Sequence, residues 1–143
     1  MKTILVVDDD AIILELIARF LENLSIRLTV LTAENGAEAI DVLKARKVDL
    51  ILTDLNMPVM NGFELLTYIS AKHPEIITIA MTGLQCADIH EKLRFLGIRH
   101  CMEKPFNLQD LKEKILQVLG KDNGRPETAY SAQQDSILKS ACS

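Results

Sequence analysis

The residues best suited to chemistry in this chain stand at the ends of apolar runs. Ile4-Leu5-Val6-Val7 leads into Asp8-Asp9, and Leu50-Ile51-Leu52-Thr53 leads into Asp54. Ile76-Ile77-Thr78-Ile79-Ala80-Met81 leads into Thr82-Gly83, and Cys101-Met102-Glu103 leads into Lys104-Pro105. If the runs are parallel strands of one sheet, all four ends lie at one edge, where open α/β sheets bind ligands. Three carboxylates, a hydroxyl and an ammonium then share a crevice. Crowded carboxylates repel, so that one takes a proton or a cation neutralises them. Oxygen ligands with room for water suit Mg²⁺. A bound Mg²⁺ would draw in a phosphoryl group. Lys104 would supply a second positive charge, and the Thr82 hydroxyl would donate to a phosphoryl oxygen. These are the parts that phosphoryl transfer requires. Asp54 is the best nucleophile, because a carboxylate can form an acyl phosphate.

Each residue has a plainer role when taken alone. Asp8, Asp9 or Asp10 suits a helix N-cap or a dipole partner. Asp54 suits an Asx-turn before Asn56-Met57-Pro58. Thr82 suits a turn and Lys104 a solvated charge. What favours a shared site is their order, each at its own strand end.

The elements that must position them alternate. After Asp10, the residues Ile13, Leu16, Ile17, Phe20, Leu21 and Leu24 recur at helical spacing. Leu28 to Leu31 reads as a second strand. Asn35 followed by Glu38 makes a capping-box-like start, with Ala39, Ile40 and Leu43 as the apolar stripe behind it. Asn56-Met57-Pro58 and Asn61-Gly62 break regular structure. A helix resumes near Phe63 and stops before His73-Pro74. Ile89, Leu93 and Leu96 form one stripe closed by Gly97. Asn107 caps a last helix that buries Leu108, Leu111, Ile115 and Val118. The order is βα five times, and right-handed crossovers place helices on both faces of a parallel sheet. Near-continuous Val, Ile and Leu is what a sheet covered on both faces needs.

Residues 1–120 form the domain in this reading, and 121–143 a linker and flexible C-terminal tail. Lys121-Asp122-Asn123-Gly124-Arg125-Pro126 is linker-like, and Ile137-Leu138 is the only strong apolar pair beyond it. A chain of 143 residues is large enough for one real core. The net charge of -4 argues against sequence-independent nucleic-acid binding. No apolar stretch is long enough for a membrane span. Cys86, Cys101 and Cys142 lack CxxC spacing and cannot all pair, which points to a reducing cytoplasm. His73, His90 and His100 lack metal-ligand spacing, and surface or helix-end positions are expected for all three. Cys101 reads as a buried small apolar residue.

Four segments resemble the receiver domain of bacterial two-component response regulators. They are Ile4-Leu5-Val6-Val7-Asp8-Asp9-Asp10, Leu52-Thr53-Asp54-Leu55-Asn56-Met57-Pro58-Val59-Met60-Asn61-Gly62, Met81-Thr82-Gly83 and Lys104-Pro105-Phe106. The resemblance covers residues 2 to about 120. It implies a flavodoxin-like α/β fold with strand order 2-1-3-4-5. It implies that Asp54 accepts a phosphoryl group from a histidine kinase or phosphotransfer protein. It also implies that Asp9 and Asp54 ligate Mg²⁺ directly, helped by the backbone carbonyl of Asn56, with Asp8 acting through water. Thr82 and Lys104 then contact the phosphoryl group, and the Lys104-Pro105 bond is cis. The downstream partner is a protein, engaged by the fourth helix, fifth strand and last helix of a monomer or weak homodimer. Family members usually carry Tyr or Phe where this chain has Cys101, and that ring moves inward as the threonine shifts. A switch built from Thr82 and Cys101 is therefore expected to be weaker or differently wired. The alternatives are a constitutive interaction or dimerisation module and a hydrolase of the haloacid-dehalogenase type. The latter wants DxD with its nucleophile at the first strand, which Asp8-Asp9-Asp10 followed by Ala11 fits poorly.

Overall fold

The computed structural model describes residues 1–55, 60, 62–83 and 86–120, with 86–88 described by backbone alone. The expectations for Asn56, for the 121–143 tail, and for the side chains of Cys86 and Cys142 lie outside the described residues.

Five strands are present: β1 (Lys2–Val7), β2 (Leu28–Ala33), β3 (Leu50–Asp54), β4 (Ile77–Thr82) and β5 (His100–Glu103). They pair in parallel in the order β2-β1-β3-β4-β5. This is the flavodoxin-like arrangement that the resemblance to receiver domains implies. Burial follows position in the sheet. Central β3 is buried along its whole length, whereas edge strand β2 is mostly half-buried. The register makes the strand ends level: Val7 pairs with Thr53, Asp54 with Met81, and Thr82 with Glu103.

The helices are α1 (Ala11–Glu22), α2 (Gly36–Ala45), α3 (Gly62–Lys72), α4 (Cys86–Phe95) and α5 (Leu108–Leu119). One sheet face carries Ile4, Val6, Leu50, Leu52, Ile79, Met81 and Met102, packed with Leu14, Ile17 and Leu21 of α1 and Leu111, Ile115 and Val118 of α5. On the other face Leu5, Val7 and Ile51 meet α2 and α3, and Ala80 and Cys101 meet Leu66, Ile89 and Leu93.

Local sequence sets where the helices begin and end. Asp10 caps α1, its Oδ1 accepting from the N–H of Ile12 at 3.0 Å and of Ile13 at 3.3 Å. Asn35 accepts from the Glu38 N–H at 2.9 Å, and Asn107 from the Asp110 N–H at 2.7 Å. Glu38 answers the Asn35 side-chain amide at 3.1 Å, a variant of the capping box. α4 ends in a Schellman turn. Gly97 has φ 81°, the Ile98 N–H donates to Leu93 O at 2.8 Å, and the Gly97 N–H to Arg94 O at 3.0 Å. Leu93 and Ile98 are both buried, the apolar contact that closes such a turn.

One histidine departs from expectation. His73 follows α3 beside Glu75 and the Tyr68 ring, and His90 lies on α4 against Arg94. His100 is neither a surface nor a helix-end residue: it is the first residue of β5 and is only 5% exposed. Strand alternation puts it on the same face as Met102, opposite Ile79. The apolar run in the sequence starts one residue later, at Cys101, which hid this position.

Candidate functional site

Each side chain of the site reaches it because a strand stops there. Asp8 follows β1, and its backbone N–H donates to Ala33 O at 3.2 Å, which holds the β1 end against β2. Its Oδ1 accepts from the Asp10 N–H at 2.9 Å. The three consecutive aspartates thus divide their work. Asp10 caps α1, Asp8 is buried at 1% exposure, and Asp9 is exposed. Asp54 ends β3 and is buried, with the following Leu55 N–H bonded to Met81 O at 3.1 Å. Thr82 ends β4 and is fully buried. The Lys104 N–H donates to Thr82 O at 2.7 Å, which carries the pairing of β4 and β5 one step further.

The expected juxtaposition is present. Asp8, Asp9 and Asp54 each offer a carboxylate oxygen, and these lie within 4.8 Å of one another. Lys104 reaches over from β5, its Nζ 3.1 Å from Asp54 Oδ2 and 3.4 Å from Asp8 Oδ2. The bond between Lys104 and Pro105 is cis. The ammonium therefore spans two carboxylates, a pairing that the sequence reading, which assigned Lys104 only to a phosphoryl group, did not contain.

The electrostatics follow from burial first and from the neighbouring charges second. Burial pushes the Asp8 carboxyl above the ordinary carboxylate range. The Asp10 N–H and Lys104 oppose that rise, and the charge of Asp54 adds to it. For Lys104, burial disfavours the charge, but the hydrogen bond and charge of Asp54, with help from Asp8, outweigh it and raise its pKa. Three converging carboxylates faced by one lysine, with Asp8 among them costly to ionise, fit a hard divalent cation.

Gly62 is a positioning residue that the sequence reading treated only as a break. Its N–H donates to Leu55 O at 3.0 Å. A Cβ there would stand 2.4 Å from Asp54 O and 2.5 Å from Leu55 Cα. The first turn of α3 thus packs closely on the backbone that carries Asp54, at a spacing that leaves no room for a side chain. The available signal was a glycine at a helix start shortly after the candidate nucleophile. Cys101 is 1% exposed and packs with Ala80, Leu66, Ile89 and Leu93, as the small apolar reading expects.

A five-stranded parallel sheet with an aspartate cluster, a threonine and a lysine at its carboxyl edge defines the class of phosphoacceptor receiver domains. The sequence pattern of the response regulator receiver domain matches residues 4–116, and the chain belongs to that family. It is 38% identical over 126 residues to a chemotaxis protein CheY homolog of Campylobacter jejuni, covering 85% of this chain and 95% of that protein. It is 30% identical to the uncharacterized transcriptional regulatory protein YesN of Bacillus subtilis, covering 91% of this chain. The chain spans 37% of the length of YesN and 31% of that of a cyclic di-GMP phosphodiesterase of Thermotoga maritima. Among solved structures, a CheY-like receiver domain protein from Methanospirillum hungatei superposes with a TM-score of 0.80 at 30% identity, over 86% of this chain and 97% of that one.

The role is that of a two-component response regulator receiver in phosphorelay signalling. Such a domain accepts a phosphoryl group for signalling and is not a classical enzyme. Its family takes phosphoryl groups from histidine kinases, acts on downstream targets, and binds Mg²⁺ through acidic residues. No helix among the described residues is long and apolar enough to cross a membrane.

Proposed function

We propose that Asp54 is the phosphoacceptor, in a Mg²⁺-dependent transfer from a phosphohistidine of a histidine kinase or phosphotransfer protein. The observation that carries this reading is the convergence of Asp8, Asp9, Asp54 and Lys104 on one point at the sheet edge. An Asp54 carboxylate oxygen attacks phosphorus, the P–N bond to the donor imidazole breaks, and that ring keeps the electron pair and takes up a proton. The product is an acyl phosphate on Asp54. Mg²⁺, when bound, neutralises carboxylate and phosphoryl oxygens. Asp9 and Asp54, with the Asn56 carbonyl, are its direct ligands in this reading, and Asp8 acts through water. Lys104 already stands beside Asp54 Oδ2 and stabilises charge on the transferred group. The Thr82 hydroxyl donates to a phosphoryl oxygen. Hydrolysis of the acyl phosphate in the same crevice resets the protein. The output is a change in the protein-binding face formed by α4, β5 and α5, with Cys101 limiting its size. The working place is the cytoplasm, where kinase donors and reduced cysteines coexist.

The test uses acetyl phosphate and Mg²⁺ with intact-mass measurement. One phosphoryl mass is gained by the wild type and none by Asp54→Asn. Stoichiometric labelling retained in Asp54→Asn sinks the assignment. Mg²⁺ titration of Asp9→Ala and Asp8→Ala separates the ligand roles, with the larger loss expected for Asp9→Ala.

A further inference from the structure

We propose that the groove between α3 and α4 docks an acidic, amphipathic peptide segment of a partner protein. The groove measures about 880 Å³ and lies between Phe63 and Thr67 of α3 and Lys92, Arg94, Phe95 and Leu96 at the end of α4. Phe95 is 91% exposed, more than any other large apolar residue described. The other three phenylalanines, Phe20, Phe63 and Phe106, pack against the core clusters.

The fold does not need Phe95 where it is. The Schellman turn that ends α4 is closed by Gly97, Leu93 and Ile98, and Phe95 points away from that contact. A lone exposed apolar residue is ordinary. This one adjoins the half-buried Phe63 and Leu96 in one shallow, open groove, so a partner's apolar side chain meets several apolar residues there and not a lone one.

The charges around the groove identify the occupant. Lys92 Nζ lies 5.5 Å from the Phe63 ring centre, and Arg94 Nη2 lies 3.0 Å from His90 Nε2. Both cations are exposed, and among the described residues neither is paired with a carboxylate. Glu91 is the one acidic residue in the lining. A net cationic, aromatic rim on a chain of net charge -4 selects an acidic segment with an apolar face. The groove is formed by α3 and α4 alone and does not depend on the phosphoacceptor reading.

Random dodecapeptides displayed on phage, selected on the whole chain without a phosphoryl donor and counter-selected on Phe95→Ser, test this. The enriched peptides are expected to combine Asp or Glu with Leu, Ile or Phe. Phe95→Ser weakens a synthetic copy of such a peptide roughly thirtyfold, the loss of one aromatic anchor. Lys92→Glu and Arg94→Glu each weaken it about threefold or more and flatten its salt dependence. Leu116→Ser, an exposed apolar site on α5, leaves it unchanged. Each variant is at an exposed position, and circular dichroism confirms its fold. Failure to enrich any peptide, enrichment without acidic bias, or equal binding to Phe95→Ser overturns the proposal. So does concentration-dependent dimerisation lost in Phe95→Ser, which makes the groove a self-association face.

Discussion

α4 and α5 flank the same edge strand, yet they are held very differently. α5 buries Leu111, Lys114, Ile115, Val118 and Leu119 and begins at a capped Asn107. α4 buries Ile89 and Leu93 among its described side chains. The strands beneath match this difference. On the α5 side β4 and β5 present Ile79, Met81 and Met102, and on the α4 side they present Ala80, Thr82 and Cys101. Large aliphatic side chains bury more area and resist displacement, at about 25 cal/mol per Å². Small ones leave an element free to shift at little cost. The helix seated on these small residues is the one that follows Thr82, next to the proposed phosphoryl group, so displacing it costs less strand-side packing than displacing α5.

The contrast is broken most severely by emptying the strong side. Ile115→Ala should cost about 3–4 kcal/mol in denaturant unfolding, while Leu93→Ala costs about 2 kcal/mol because α4 can settle into the space. Amide exchange should run in the same sense, with α4 opening locally and α5 exchanging near the global limit. Equal costs and equal exchange in the two helices would remove the asymmetry.

Gly62→Ala attacks the neighbouring support. A methyl facing the Asp54 carbonyl forces α3 outward, at about 1–3 kcal/mol. Labelling of Asp54 by acetyl phosphate should slow more than the stability loss alone explains. An unchanged labelling rate would show that α3 does not position that carboxylate.

Cys101→Tyr sharpens the comparison from inside the small-residue side. The cysteine is already enclosed by Ala80, Ile89 and Leu93, so a ring kept inward overpacks by about 1–3 kcal/mol. A phosphoryl mimic such as beryllofluoride should then change amide exchange across α4 and β5 more in Cys101→Tyr than in the wild type. If the wild type already shows the full change, Cys101 does not limit the switch.

The smallest effect concerns charge. The pKa of Asp8 is raised in the folded protein, so its ionised form destabilises the metal-free domain above that pKa. Asp8→Asn should raise the metal-free melting temperature at neutral pH by a few degrees, on the order of 1 kcal/mol. The gain should shrink as pH falls through the raised pKa and vanish below the unfolded value of 3.8. Lys104 acts at the other end of the scale. Its raised pKa contributes stability that is complete below 10.5 and lost as pH climbs through the folded value. Saturating Mg²⁺ should stabilise the wild type more than Asp8→Asn.

By itself the sequence determined the order of the elements, the strand ends that meet and the identity of the reactive groups. The reason is local. Apolar runs of strand length, stripes at helical spacing and the caps Asn35, Asn107 and Gly97 are written in neighbouring residues. Tertiary structure alone decided which of three adjacent aspartates is buried, which is exposed and which caps α1. It also set the Lys104 contact with two carboxylates, the close approach of Gly62 to the Asp54 backbone and the burial of His100. The Lys104 contact joins atoms 96 residues apart and the burial of His100 depends on neighbouring strands and helices, so no local pattern encodes either. Phe95 stands off the stripe of Ile89, Leu93 and Leu96, and its full exposure is set by the Schellman turn that turns the chain inward after it.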